Sequence, residues 1–375
     1  MKGETKPMRV VCAMSGGVDS SVAAALLLDQ GHEVIGMTMR LYDAPDEARG
    51  RAAAQAGRGG SCCSPAEIDR AKDVCAALGI PHYTVDERRR FAAAVIDDFA
   101  REYAGGRTPN PCVRCNEHVK FGPLLARARA LGAQALATGH YARTDGGILR
   151  RGVDPSKDQS YFLFAMGEEA LANVMMPLGT WSKDRVRERA RELGLVNADA
   201  PDSQELCFVA GGSHADVVER RAAALGLDLD PLAPGTIVDR GGEVLGEHGG
   251  IHRVTVGQRR GLRIAGNAPR YVLRVLPESR QVVVGDADEL AVAAIEIGDL
   301  RRLAPLPEGG ELRAEVQIRH RSPATPASVR IVGDVALARF AAPVRAVAPG
   351  QAAVIYVGEQ VVAGGWIAAS EEAPA

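Results

Sequence analysis

The feature that most constrains the fold is a short apolar run, residues 8–14 (MRVVCAM), which leads directly into the glycine-rich turn 15–21 (SGGVDSS). A helical pattern begins within that turn. The N-terminus of a helix exposes N–H groups and carries partial positive charge, so a strand-to-helix turn of this kind favours anions. Gly16 and Gly17 allow the backbone to approach an anion closely. An ordinary tight turn is the alternative interpretation.

The same turn holds three hydroxyl groups that can donate hydrogen bonds to phosphate oxygens: Ser15, Ser20 and Ser21. No lysine follows the glycines, so the turn is not a Walker A loop, and the glycine spacing is not G-x-G-x-x-G. The turn therefore predicts a phosphate-binding loop of another type.

Strand-like and helix-like patterns alternate through the first 210 residues, over the segments 8–14, 18–31, 33–39, 66–79, 81–85, 88–104, 117–131 and 133–139. This order predicts an α/β fold with a doubly wound parallel sheet. Such sheets bind ligands at the carboxyl ends of their strands. Residues 44–61 show no period and predict a mobile loop.

Three domains are expected along the 375 residues. Residues 1–210 form the α/β domain, and the glycine-rich stretch 211–280 forms a small central module. Residues 281–375 alternate in short runs separated by Gly and Pro, which predicts an all-β module, a small β-barrel.

The composition, 46% hydrophobic and 25% charged, is that of a globular chain. No apolar run is long enough to span a membrane, and the N-terminal stretch lacks the apolar core of a secretory signal. The seven cysteines are an odd number in a long chain, which favours reduced thiols in the cytoplasm over a disulfide framework.

A net charge of −2 gives no global case for nucleic-acid binding, but the local distribution differs. Residues 251–277 hold six arginines and neither Asp nor Glu, and residues 301–345 hold eight arginines against four acidic residues. Basic patches of this kind are the footprint of phosphate contact. A solvated arginine-rich surface is the alternative for the first patch.

The turn resembles the PP-loop, SGGxDS, of the ATP pyrophosphatase superfamily (adenine nucleotide alpha hydrolase-like), whose members cleave ATP to AMP and pyrophosphate. Four further stretches narrow the resemblance: TPNPCVRCNEHVKF (108–121), ATGHYAR (137–143), KDQSYFL (157–163) and DSQELCFV (202–209). In this order they resemble the tRNA-specific 2-thiouridylases, over nearly the whole chain. The resemblance implies thiolation of the wobble uridine of tRNA at C2, with release of AMP and pyrophosphate.

The family implies distinct roles for two cysteines. Cys207 would carry a persulfide, Cys115 would be the partner nucleophile, and the two would end as a transient disulfide that an external reductant opens. The basic neighbours Arg114, His118 and Lys120 would lower the pKa of Cys115 if they lie close in space. The sulfur would come from a persulfide donor, either a cysteine desulfurase or a sulfur relay protein.

Many family members have Asp at the position of Cys112, and general acid/base catalysis near the target base is assigned to that Asp. A thiol is a weaker acid than a carboxyl group, so that role is open here. Cys112, Cys115 and Cys207 also allow a second hypothesis, an iron–sulfur cluster whose unique iron binds sulfide. Cys62 and Cys63 allow a metal site, and Cys12 and Cys75 are expected in the core.

The family assigns further residues to ATP and to the anticodon arm of tRNA. ATP, with Mg²⁺, would be held by Ala13, Met14, Ser15, Gly16, Gly17, Val18, Asp19, Ser20, Met39 and Gly139, with Asp19 the candidate Mg²⁺ ligand. The target base and the rest of the tRNA would be contacted by Asn110, Pro111, Cys112, His140, Lys157, Asp158, Gln159, Arg319, His320 and Gln351. A flexible anticodon loop allows the wobble base to be extruded.

Two other functions remain open from the sequence. One is another PP-loop synthetase that adenylates its substrate, and the other is a tRNA-binding sulfur carrier without catalysis. The intact SGGVDSS loop favours an enzyme over a carrier.

Overall fold

The computed structural model describes residues 6–43, 65–200, 206–209, 212–264 and 268–373. The chain forms two compact units, the first from residues 1–94 and 112–212 and the second from residues 95–111 and 213–375. The predicted loop 44–61, with Cys62 and Cys63, lies outside the described residues. The predicted division into three domains stays a prediction.

The described helices are α1 (Val18–Asp29), α2 (Pro65–Ala77), α3 (Arg88–Phe91), α4 (Asp97–Ala104), α5 (Pro111–Cys115), α6 (Gly122–Ala130), α7 (Glu168–Asn173), α8 (Lys183–Glu192) and α9 (His214–Leu225). Two π-helical segments, Ala92–Ile96 and Asn116–Phe121, join α3 to α4 and α5 to α6. Single 3₁₀ turns cover Ser160–Phe162, Pro177–Thr180, Asp230–Leu232, Ile251–Arg253 and Asp288–Leu290.

The first unit is built on a five-stranded sheet, and its strands are β1 (Arg9–Ala13), β2 (Glu33–Arg40), β3 (His82–Asp86), β4 (Ala135–Ala137) and β7 (Val174–Met175). Their order is β3-β2-β1-β4-β7, and every pairing is parallel. An antiparallel hairpin joins β5 (Ala142–Asp145) and β6 (Ile148–Arg151). The predicted doubly wound parallel sheet is confirmed.

The core of this unit lies between β1 and the helices around it. Val10 and Cys12 of β1 are fully buried, as are Val22 and Leu27 of α1. The alanine-rich sequence of α1 lets it pack closely on the sheet while it stays helical. Burial of a strand and the following helix together fixes the turn between them at the carboxyl edge of the sheet.

The second unit holds two sheets, of which the first is mixed and the second is antiparallel. A four-stranded sheet has the order β10-β11-β8-β9, from β8 (Gly235–Val238), β9 (Val244–His248), β10 (Tyr271–Leu276) and β11 (Gln281–Gly285). β11 pairs with β10 and β8.

The remaining strands form the predicted barrel, and they are β12 (Ala291–Arg302), β13 (Glu311–Gln317), β14 (Thr325–Val332), β15 (Val335–Arg345), β16 (Ala352–Val357) and β17 (Gln360–Glu372). They are ordered β12-β15-β14-β13-β16-β17, and antiparallel pairing of β12 with β17 closes the ring. Apolar side chains that point inward fill the interior of the barrel, and polar side chains alternate with them on the outside. In β14, for example, Val329 and Ile331 are buried and Arg330 is exposed. The predicted C-terminal β-barrel is confirmed.

Within the described residues, no helix combines the length and the apolar character needed to cross a bilayer.

Candidate functional site

The phosphate loop follows β1 and is shaped by two glycines. Gly16 has a φ of +76°, and an added Cβ would collide with the backbone carbonyl of Glu67, so only glycine fits. Gly17 precedes α1 with extended backbone, and it has no side chain that could cap the helix. The first N–H groups of α1 are therefore presented as sequence analysis predicted, in the arrangement that binds anions.

All three loop hydroxyls form hydrogen bonds within the loop, since Ser15 Oγ lies 3.2 Å from Ser20 Oγ and accepts from Gly17 N at 3.4 Å. Ser20 Oγ donates to Gly17 O at 3.0 Å and accepts from Ser15 N at 3.1 Å, and Ser21 Oγ donates to Gly17 O at 3.0 Å. A hydroxyl has one proton, and both side chains are buried. Ser15, which is half-buried, is the hydroxyl most open to a ligand.

Asn197 holds the loop from the opposite side, and sequence analysis missed it. Its Nδ2 donates to Gly16 O at 2.8 Å and to Ser21 Oγ at 3.0 Å. The side chain is 2% exposed, and within the described part of the chain its Oδ1 has no hydrogen-bond partner. No local pattern marks this residue, because its partners lie more than 170 positions away in the sequence.

Asp19, at the start of α1, forms an ion pair that the sequence did not predict. Lys183 Nζ lies 2.7 and 2.8 Å from the two carboxylate oxygens of Asp19, and Tyr141 Oη donates to Oδ1 at 2.6 Å. The Lys183 side chain is 7% exposed, and its backbone N–H donates to Asp154. A buried ammonium group, paired with the Asp19 carboxylate, thus lies beside the phosphate loop.

Gly139 and Met39 flank the loop at the ends of β4 and β2. A Cβ on Gly139 would lie 2.7 Å from Ser20 N and 2.8 Å from the Asp19 carbonyl carbon, so this glycine is needed for close packing on α1. Met39 is 7% exposed and lies within β2. Their predicted contact with adenine stays a prediction.

His140 follows Gly139 and is neutral at physiological pH. Burial, with a smaller contribution from Lys120, lowers the pKa of His140 to about 3. Its Nδ1 lies 2.8 Å from Thr138 Oγ1, and its ring lies 5.8 Å from that of Phe121. Its predicted contact with tRNA would therefore rest on hydrogen bonding or stacking and not on charge.

The structure describes five cysteines, and none of them forms a disulfide. Cys12 and Cys75 are 0% and 1% exposed, and burial raises their pKa values to about 12 and about 11. Both are core residues, as predicted. Cys112 is exposed, Cys115 is 7% exposed and Cys207 is partly exposed.

The segments that carry Cys115 and Cys207 both border α3, the helix that ends at Phe91. Cys115 ends α5 and directly precedes the π-helical segment Asn116–Phe121, which packs against α3. Phe208, next to Cys207, packs edge-on against the Phe91 ring at 5.9 Å between centroids. π-helical turns are frequent at functional sites, and this one fixes the position of Cys115 against α3.

Two of the three basic neighbours of Cys115 share a carboxylate partner. Arg114 Nη1 and His118 Nε2 each lie 3.3 Å from Glu117 Oε2. Glu117 therefore offsets part of the positive charge that the sequence placed beside Cys115. The predicted effect on the Cys115 thiol stays a prediction.

The three cysteines of the cluster hypothesis do not assemble into a metal-binding group. Among the residues that the structure describes, no three His, Cys, Asp or Glu side chains come together in a way that could hold a metal ion. The same holds for the surroundings of Asp19, whose two oxygens face Lys183.

The segment predicted to contact tRNA at Lys157, Asp158 and Gln159 is tied to the phosphate loop. Asp158 accepts hydrogen bonds from Gly152 N, Ser160 N, Ser160 Oγ and Arg151 at 2.9–3.1 Å. Gln159 Oε1 accepts from Tyr141 N at 3.0 Å, and Tyr141 in turn contacts Asp19. Asp158 and Gln159 thus organise the site internally.

Of the three residues predicted to contact the base, Asn110 and Pro111 are buried and Cys112 is exposed. Gln351 lies against the backbone that leads to them. Its Nε2 donates to Thr108 O at 3.0 Å and to Pro109 O at 2.9 Å. Gln351 therefore fixes this loop.

In the barrel, Arg319 is exposed and His320 is half-buried. The buried side chain of Gln317 holds the turn by donating from Nε2 to Arg319 O at 3.1 Å and to His320 O at 2.8 Å. The turn thus presents the Arg319 guanidinium to solvent in a fixed position.

Comparison with known proteins covers nearly the whole chain. Family models match residues 8–211 (tRNA methyl transferase HUP domain), 228–286 (tRNA methyl transferase PRC-barrel domain) and 292–367 (aminomethyltransferase beta-barrel domain). A protein of Rhodospirillum centenum named tRNA-specific 2-thiouridylase MnmA is 47% identical over 380 residues, which is 98% of this chain and 93% of that protein. This chain belongs to the tRNA-specific 2-thiouridylase family. Another member, from Zymomonas mobilis subsp. mobilis, is 48% identical over 364 residues, covering 96% of this chain and 93% of its own.

Proposed function

We propose that this chain is an ATP-dependent tRNA 2-thiouridine synthase that thiolates the wobble uridine at C2. The observation that carries the proposal is that the Cys115 and Cys207 segments both pack against α3, in the same unit as the phosphate loop. Family membership supports it, since relatives at 47–48% identity are named tRNA-specific 2-thiouridylases. The matched family models carry a methyl transferase description, but two thiol segments near each other suit sulfur transfer.

The first step is adenylation. The C2 oxygen of uridine attacks the α-phosphate of ATP and releases pyrophosphate, which turns a poor leaving group into AMP. The first N–H groups of α1 and the ammonium group of Lys183 hold the phosphates and stabilise the charge that develops on them. ATP brings Mg²⁺, which usually takes most of its ligands from phosphates and water. Asp19 would become a ligand only by releasing Lys183.

The second step is sulfur transfer from a Cys207 persulfide. The terminal sulfur attacks C2 and displaces AMP, so the uridine is joined to Cys207 through a sulfur–sulfur bond. The Cys115 thiolate then attacks the Cys207 sulfur, which leaves 2-thiouridine and a Cys115–Cys207 disulfide. An external dithiol reduces the disulfide and restores both thiols. A persulfide donor protein reloads Cys207, whose partial exposure suits such a transfer.

The tRNA contacts assigned above complete the proposal. Asn110, Pro111 and Cys112 contact the extruded base, and His140 and the segment 157–159 contact the anticodon arm. In the barrel, Arg319 and His320 contact the backbone, while Gln351 fixes the base-contacting loop.

A single reconstitution tests the proposal. Purified protein is mixed with ATP, a persulfide donor and unmodified tRNA, and both AMP and 2-thiouridine are measured. We expect Cys115→Ser and Cys207→Ser each to abolish 2-thiouridine while tRNA binding stays at the wild-type level. AMP release that depends on tRNA, with no sulfur incorporated by the wild type, would favour a different adenylating synthetase. tRNA binding with neither product would favour a carrier.

A further inference from the structure

The feature that the function above leaves unused is the arginine loop, residues 257–263 (GQRRGLR) of the second unit. Arg259, Arg260 and Arg263 are exposed. None of the three has a carboxylate partner among the described residues. The wider stretch 251–277 contains neither Asp nor Glu. The positive charge of the loop is therefore not neutralised locally.

Many other arginines of the same unit have a carboxylate partner. Salt bridges to a carboxylate are formed by Arg240, Arg253, Arg270, Arg280, Arg302, Arg339 and Arg345. A generic solvated surface would pair its arginines in this way. The arginine loop differs in gathering, within five positions, three guanidinium groups that have no carboxylate partner among the described residues.

The loop is also held in a defined shape. Gln258 Oε1 accepts from Thr255 N at 3.1 Å, and its Nε2 donates to Arg260 O at 2.9 Å. Gly257 and Gly261 have φ angles of +86° and +84°, and Arg263 has a φ of +54°, where a side chain is disfavoured. A fixed loop loses little conformational entropy when it binds a ligand.

The loop is continuous with the barrel surface that carries Arg319. Gly257 packs directly against the Ala346 side chain, so that an added Cβ would collide with it. Ala346 follows Arg345, whose carbonyl oxygen accepts from Arg319 Nη2 at 3.4 Å. The arginine loop and Arg319 therefore border the same short segment.

We propose that the arginine loop binds the phosphate backbone of the tRNA substrate and extends the barrel surface around Arg319. Guanidinium groups match phosphate oxygens in a two-pronged geometry. A protein partner would require an apolar centre, but residues 251–264 expose no large apolar side chain. The identity of the RNA rests on the proposed function, whereas the phosphate chemistry rests on the loop alone.

The test compares two double variants of equal net charge in the full-length protein. Arg259→Gln/Arg260→Gln removes two charges from the loop. Arg302→Gln/Arg339→Gln removes two charges from the paired arginines of the barrel. Binding of unmodified tRNA is measured by fluorescence anisotropy between low and moderate salt, and thermal unfolding confirms that both variants are folded.

We expect the loop variant to bind tRNA about tenfold more weakly, and the slope of log affinity against log salt to fall by about one for each arginine removed. The control variant should keep both the affinity and the slope of the wild type. Equal effects in the two variants, or an unchanged slope in the loop variant, would overturn the inference. So would tRNA binding by the loop variant at the wild-type affinity. If the wild type itself fails to bind tRNA, the proposed function fails and not the loop assignment alone.

Discussion

The Asp19–Lys183 pair predicts an unequal response to the loss of either partner. Asp19→Asn leaves the ammonium group of Lys183 in a site where its side chain is 7% exposed. Lys183→Met leaves a carboxylate that is 34% exposed and still accepts a hydrogen bond from Tyr141. Water can therefore reach the Asp19 carboxylate that remains after Lys183→Met, but it hardly reaches the Lys183 ammonium group that remains after Asp19→Asn.

The magnitudes follow from that difference. A buried charge that loses its partner costs about 3–5 kcal/mol, so Asp19→Asn should lower the unfolding free energy of the first unit by that amount. The half-solvated carboxylate left by Lys183→Met should cost about 1–2 kcal/mol. Combining the two changes should cost less than their sum, because neither charge is then left alone.

The first unit can be followed by itself because the chain has two tryptophans, Trp181 and Trp366. In a Trp366→Phe background, the fluorescence of Trp181 reports urea unfolding of the unit that contains Lys183. Asp29→Asn is a matched control. Asp29 lies on α1, as Asp19 does, and forms an exposed salt bridge with Arg189, so its loss should lower the unfolding free energy by less than about 1 kcal/mol. A Lys183 variant that loses as much stability as the Asp19 variant, or more, would refute the argument.

Three further predictions concern single residues. Cys112→Asp should keep 2-thiouridine formation, measured by nucleoside mass spectrometry; a complete loss would point to an obligatory role for that thiol. Gln351→Glu places carboxylate oxygens against the carbonyl oxygens of Thr108 and Pro109. Hydrogen exchange of the Thr108 amide should therefore accelerate, whereas protection equal to the wild type would show that Gln351 does not fix this loop. The folded-state pKa of His140 is about 3, far below the 6.5 of an unperturbed histidine, so the folded protein binds fewer protons than the unfolded chain between those values. Its unfolding free energy should therefore fall as pH drops from about 6.5 towards 3, and less steeply in His140→Asn; identical slopes would contradict that.

The fold was largely predictable because it rests on local periodicity. The apolar run 8–14, the helical spacing of 18–31 and the strand 33–39 appear in the structure as β1, α1 and β2 with ends shifted by one or two residues. The alternating runs after residue 290 fold as the closed barrel. At the segment 281–285 periodicity identified the strand correctly, but it does not encode which sheet a strand joins, and β11 pairs with β8 and β10.

The site was predictable where a motif is contiguous and not where partners are distant. The phosphate loop and the two cysteine segments carry recognisable sequences. Lys183, Asn197 and Tyr141 do not, because each acts on the loop across more than 120 positions. In isolation they have the appearance of an ordinary helix start, a turn residue and a core aromatic. Only folding brings them to Asp19 and Gly16.

In the proposed mechanism, Cys207 delivers the sulfur while Cys115 takes over the sulfur–sulfur bond. It is tested most directly in a single turnover without reductant, with the protein preloaded with heavy-isotope sulfur on Cys207 and mixed with ATP and unmodified tRNA. We expect heavy sulfur in 2-thiouridine and, in equal amount, a peptide in which Cys115 and Cys207 are joined by a disulfide. Labelled 2-thiouridine formed without that disulfide, or formed at the wild-type rate by Cys115→Ser, would contradict it.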